Sequence, residues 1–180
     1  RTGYRPQPAI FVSGCQDIRL HDITIHFAEG MGLLAQRSED IYLERFSVEL
    51  RPKGGRYFTT QADATHFVAC RGQISVERCR FENMMDDALN VHGVYLKVVG
   101  REGKHTLLGR FMHEQSFGFP WTDPGDAVRF VTSRDIQGLE GVFHVSSISS
   151  AEGKSLEGAR EVRITFREEL PADYTPERGI

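Results

Sequence analysis

The chain is 180 residues long, enough for one ordinary domain or two small ones. Its formal charge of −3 is spread without a basic run, which argues against nucleic acid as a partner. No apolar run approaches the roughly 20 residues that a membrane-spanning helix requires.

Three cysteines, Cys15, Cys70 and Cys79, are an odd number without metal-ligand spacing and are expected to be buried small hydrophobes. The 18 glycines, with β-branched and aromatic residues in short bursts, point to an all-β protein. Residues 1–8 are polar, carry two prolines and read as an irregular lead-in.

The first strand pair has its apolar set at Ile18, Leu20, Ile23 and Ile25. The same set recurs at Ile41, Leu43, Phe46 and Val48, and again at Ile74, Val76, Cys79 and Phe81. The internal spacing (0, +2, +5, +7) is the same each time, whereas a helix would require neighbours at 3 and 4 throughout. Each unit therefore reads as two short strands around a two-residue corner. Offsets of 23 and 33 residues between units suit a solenoid, here a parallel β-helix, in which stacking supplies the core that one coil lacks. The ten extra residues of the second unit fall within 49–61, a stretch holding Arg51, Lys53, Arg56 and Tyr57. Insertions in solenoids become loops on one face, often the binding face.

This loop runs into Ala62-Asp63-Ala64, which aligns over Asp86-Asp87-Ala88 of the following coil in NMMDDALNVHG. Coils stack roughly 4.8 Å apart, so Asp63 and Asp87 become neighbours in one column, with Asp86 beside them. Strict alternation from Leu89 and Val91 would turn Asp87 inward, so regular strand geometry is expected to begin only after it. Like charges so close cannot all ionise freely. A protonated carboxyl next to an ionised one is what glycoside hydrolysis uses, one to protonate the leaving oxygen and one to activate water. A solvated turn or a calcium site would also gather aspartates, although no DxDxDG-type loop is present. His66 and His92 flank the carboxylates and could hydrogen-bond sugar hydroxyls. Asn90 is placed to contact substrate or to join an amide ladder. Arg51, Arg56 and Tyr57 are candidate rim contacts, and Trp121 is a candidate for sugar stacking or for a core.

From Val94 the period is lost. Candidate strands at residues 94–99, 106–108, 127–131, 142–145 and 162–166, with a turn at Asp123-Pro124-Gly125-Asp126, suggest a small antiparallel barrel or sandwich. The expected division is 1–97 for the coils carrying the aspartates and 98–180 for the second domain. The absence of a closing coil predicts that the chain is a piece of a longer protein.

The ADA segment, the 23-residue step from Asp63 to Asp86, and NMMDDALNVHG followed by a β-rich insertion resemble glycoside hydrolase family 110. These are bacterial exo-acting α-1,3-galactosidases built on a right-handed parallel β-helix with inserted β-barrel domains. The resemblance implies metal- and cofactor-independent, inverting release of terminal α-1,3-linked galactose from blood-group-B-type or related glycans, by a secreted or periplasmic enzyme. It puts the general acid on Asp86 and the water-holding base on Asp63 and Asp87. An inverting pair is expected to stand roughly 6.5–9.5 Å apart. Competing expectations are a polygalacturonase-like β-helix glycosidase, with Arg51, Lys53 and Arg56 binding uronate, and a non-catalytic glycan-binding solenoid.

Overall fold

The computed structural model describes residues 7–113 and 116–180; residues 1–6 of the expected lead-in lie outside that range. Among the described residues every regular element is a β-strand, apart from one 3-10 turn at Pro176–Arg178. The chain divides into two compact units, Arg1–Gly93 and Val94–Ile180.

The first unit holds two parallel sheets. One stacks β1 (Ile10–Ser13), β3 (Leu33–Gln36), β5 (Thr65–Val68) and β8 (Leu89–His92) in that order. The other stacks β2 (Gln16–Ile25), β4 (Glu39–Val48) and β6 (Arg71–Glu77), with the short β7 (Arg80–Phe81) also on β4. Register follows the repeat. Ile18 pairs with Ile41 and Ile41 with Ile74; Ile25 pairs with Val48 and Val48 with Phe81. A third line of backbone bonds runs from Ala28 N to Thr59 O and from Thr59 N to Asn83 O, both 2.9 Å. The stacked apolar columns form the core, with Leu33, Ala35, Phe46, Val48, Ala64 and Phe67 fully buried.

In the third coil residues 78–79 separate β6 from β7 as the expected two-residue corner, whereas the corners of the first two coils differ. β2 and β4 run through as continuous ten-residue strands, each with two residues in the left-handed region, Asp17 and Asp22 in β2 and Asp40 and Arg45 in β4, the second of each pair making the mid-strand bend. Asp22, Arg45 and Arg78 occupy this bend in successive coils, with φ of 56°, 49° and 54°. Gly14, Arg37 and Ala69 form a similar column. A left-handed residue other than glycine costs roughly 1–2 kcal/mol. Contacts between coils oppose that cost at the Asp22 bend. Arg45 donates through Nε to Asp22 Oδ1 at 2.6 Å and through Nη2 to Oδ2 at 2.8 Å, and Arg78 pairs with Glu44 of the coil before it. Close stacking also selects Gly32, where a Cβ would stand 2.5 Å from the Ala64 carbonyl oxygen.

Cys15 departs from expectation. Its side chain is exposed at a corner, while Cys70 and Cys79 are half-buried against the core.

The second unit is a five-stranded antiparallel sheet in the order β11 (Ala127–Val128), β12 (Phe143–Ser150), β13 (Glu161–Phe166), β10 (Thr106–Phe111), β9 (Leu96–Glu102). The strand expected over 127–131 is shorter, and Val131 makes only an isolated bridge to Gly138. The C-terminal residues tie the β9 edge to the segment after β11: Val98 N donates to Ile180 O at 2.8 Å and Ser133 N to Gly179 O at 2.6 Å. Inside, Phe130, Phe143, Phe166 and Tyr174 meet with ring centroids 5.0–6.3 Å apart. Trp121 packs against this core and its Nε1 donates to Val94 O at 2.7 Å, which gives it a structural role.

Candidate active site

The site is built where β5 and β8 begin. Their pairing starts with Thr65 opposite Leu89, so Asp63 and Asp87 precede the ladder at one level, and Ala64 N donates to Asp87 O at 2.8 Å. Regular strand geometry begins at Leu89, after both aspartates of the adjacent pair. The non-regular backbone at 86–88 frees their side chains from the inward–outward alternation. Asp63 is buried at 2% exposure, whereas Asp86 and Asp87 are exposed. Thr59, Thr60 and Thr65, all fully buried, use their hydroxyls on backbone carbonyls, that of Thr65 on Ala88 O at 3.0 Å.

One carboxylate oxygen from each of Asp63, Asp86 and Asp87 lies within 4.8 Å of the others. Two oxygens that share one water, each at about 2.8 Å, stand somewhat under 5 Å apart, so the cluster suits a water gripped between two carboxylates. This figure bounds only the facing oxygens, whereas the 6.5–9.5 Å expected of an inverting acid and base is a separation of whole carboxyl groups. Three carboxylate oxygens at this spacing also suit a hard cation, although calcium takes six to eight oxygens.

The histidines join the cluster from the outward face of the same strands. His66 Nδ1 lies 2.5 Å from Asp63 Oδ2, and His66 Nε2 lies 2.8 Å from His92 Nε2. His92 Nδ1 lies 2.8 Å from Gly93 O, and the two rings meet edge to face with centroids 4.8 Å apart. Asn90 sits in register with His66. The loop arginines are placed differently. Arg51 is exposed, its carbonyl closing a turn to Gly54 N, and the Arg56 guanidinium stacks on the Phe27 ring at 3.7 Å. Phe27 in turn meets Phe58 at 6.1 Å, which pins the end of the loop. Tyr57 beside it is 91% exposed.

Residues 106–177 match the family model of the GLAA-B β-barrel domain II. Along its whole length the chain is 51% identical to an α-1,3-galactosidase B of Phocaeicola vulgatus. It is 50% identical over 98% of its length to an α-1,3-galactosidase B of Bacteroides fragilis, and 38% identical over 93% to one of Akkermansia muciniphila. The relatives are named galactosidases. The chain spans about 30% of the length of the first two and 20% of the third.

Proposed function

We propose that this chain carries the acid–base centre of a glycoside hydrolase of the family 110 kind, an exo-acting α-1,3-galactosidase that is secreted or periplasmic. The observation that carries the reading is the convergence of Asp63, Asp86 and Asp87 within 4.8 Å, in a chain half identical to named α-1,3-galactosidases. In this reading the stacked parallel sheets are coils of a right-handed parallel β-helix, and the barrel is inserted after the coil that carries Asp86 and Asp87.

Asp86, exposed, protonates the glycosidic oxygen as the aglycone leaves. Asp63 and Asp87 hold the water and take its proton as it attacks the anomeric carbon from the opposite face, which inverts the configuration. One proton leaves Asp86 for the aglycone and one passes from water to the Asp63–Asp87 pair. Release and exchange with solvent restore both. No metal is needed for either transfer, and treatment with a chelator is expected to leave turnover unchanged. Loss of turnover restored by calcium would instead assign the three oxygens to a cation.

The test separates the acid from the base. Asp86→Asn is expected to lower turnover of an α-1,3-linked galactobiose by about 10²–10⁴-fold. The same variant is expected to keep much of its rate on α-galactosyl fluoride, whose leaving group needs no proton. Asp63→Asn and Asp87→Asn are expected to lose both. Retained turnover of the disaccharide by Asp86→Asn would remove the acid assignment. Unchanged glycan affinity in a protein that never turns over would favour a binding module.

A further inference from the structure

His66 and His92 flank the aspartates in a position from which a sugar hydroxyl could be bound. Their hydrogen bonding points elsewhere. All four ring nitrogens lie within hydrogen-bond distance of protein atoms: His66 Nδ1 of Asp63 Oδ2, His66 Nε2 of His92 Nε2, and His92 Nδ1 of Gly93 O. Each contact needs one proton. The Gly93 carbonyl only accepts, so His92 Nδ1 donates to it. Two imidazole nitrogens 2.8 Å apart require one proton between them, because two lone pairs or two N–H groups would repel. The contact of His66 with Asp63 holds a third.

Three hydrogen bonds thus hold three protons, and this fixes the charge of the group. With Asp63 ionised, the two histidines share one positive charge. With Asp63 protonated, both histidines are neutral. Asp63, His66 and His92 together are electrically neutral in either arrangement. The Asp63 side chain is 3% exposed and the His66 side chain 14%, so the carboxylate nearest the core has its charge balanced where water is scarce. Asp86 and Asp87, the other acids at this site, lie on the exposed coil end and do not supply that balance.

We propose that His66 and His92 are a positioning pair for Asp63, fixing its Oδ2 and balancing its charge, and that they do not bind the sugar. His66 occupies one acceptor site of Oδ2, which fixes the plane in which Asp63 offers its remaining acceptor sites to the water shared with Asp87. His92 acts through His66, setting which nitrogen of His66 carries the proton toward Asp63. The inference rests on the galactosidase reading for its catalytic consequence, and on geometry alone for the hydrogen-bonded chain.

The experiment combines kinetics on an α-1,3-linked galactobiose with ¹⁵N NMR of the imidazoles, both on the full-length protein. His66→Ala and His92→Ala are expected to lower kcat by about 10²-fold with KM changed less than about twofold. His92→Gln, whose amide reaches the same nitrogen, is expected to recover most of the rate. In the wild-type protein His92 Nδ1 should carry a proton, with the two Nε2 signals displaced toward a shared proton. A KM raised about tenfold with kcat kept would make the histidines sugar ligands and overturn the proposal, as would a His92 with bare Nδ1. If the wild-type protein releases no galactose, the galactosidase reading fails and the NMR alone decides whether the pair holds Asp63.

Discussion

Asp63 is a carboxylate that folding moves out of water, and it stays there because its neighbours were chosen for it. His66, three residues on, reaches back to it, and His92 on the next coil reaches His66. The sequence marked the aspartates well, since an adjacent Asp-Asp aligned over ADA is visible as a repeat. It marked the histidines only as neighbours. Their pairing depends on a diagonal contact, His66 opposite Asn90 with His92 two residues further, which residue spacing along one strand does not reveal. Arg56, a loop cation expected at the rim, is exposed and stacks on Phe27, a contact that spacing along the chain does not reveal. A second residue-scale pairing governs acid stability in the barrel. His144 donates from its backbone N–H to Glu168 Oε2, and its Nδ1 lies beside Oε1, both at 2.7 Å. These bonds, the backbone one first, hold the Glu168 carboxyl down from the ordinary 4.5 to about 2. A lowered carboxylate pKa stabilises the fold above the ordinary value, and the contribution is lost as pH falls toward the folded one. Glu168→Gln is therefore expected to flatten the fall of the melting midpoint between pH 4.5 and 2, followed by circular dichroism. An unchanged slope would mean that the pairing does not persist in solution.

The strand-corner-strand units were legible because their inward positions are spaced alike in every coil, and the observed register pairs them in columns. The corners were less legible. They were expected as breaks between two strands, which the third coil has at residues 78–79, yet in the first two a continuous bent strand makes the same turn, and Asp22, Arg45 and Arg78 have nothing in common by composition that would announce their left-handed backbone. What these columns support can be measured at β5, the strand that follows Asp63. Phe67 is fully buried there between the coils of β3 and β8. Phe67→Ala leaves a cavity in a close-packed stack and is expected to cost about 3–5 kcal/mol. Urea unfolding checks this, and a loss under about 1 kcal/mol would show that the column is loosely packed or collapses easily.

At the scale of the whole chain, loss of the period near Val94 was the clearest sign in the sequence of a second unit. Alternation and turn residues also located the strands of that unit. The extent of these strands was harder to read, because β12 and β10 run on into polar residues that alternation alone does not assign. Physics of the residues leads as far as three converging carboxylates. The choice of galactose and of the α-1,3 linkage comes from resemblance and from relatives of which this chain spans 20–30%. The most direct measurement is therefore the configuration of the first product, followed by proton NMR as the full-length protein acts on α-1,3-linked galactobiose. Early release of β-galactose, relaxing later to the anomeric mixture, is the predicted result. Early α-galactose would contradict the water-holding role of Asp63 and Asp87 and make one of the closely spaced aspartates a nucleophile, and no release of galactose at all would contradict the enzyme.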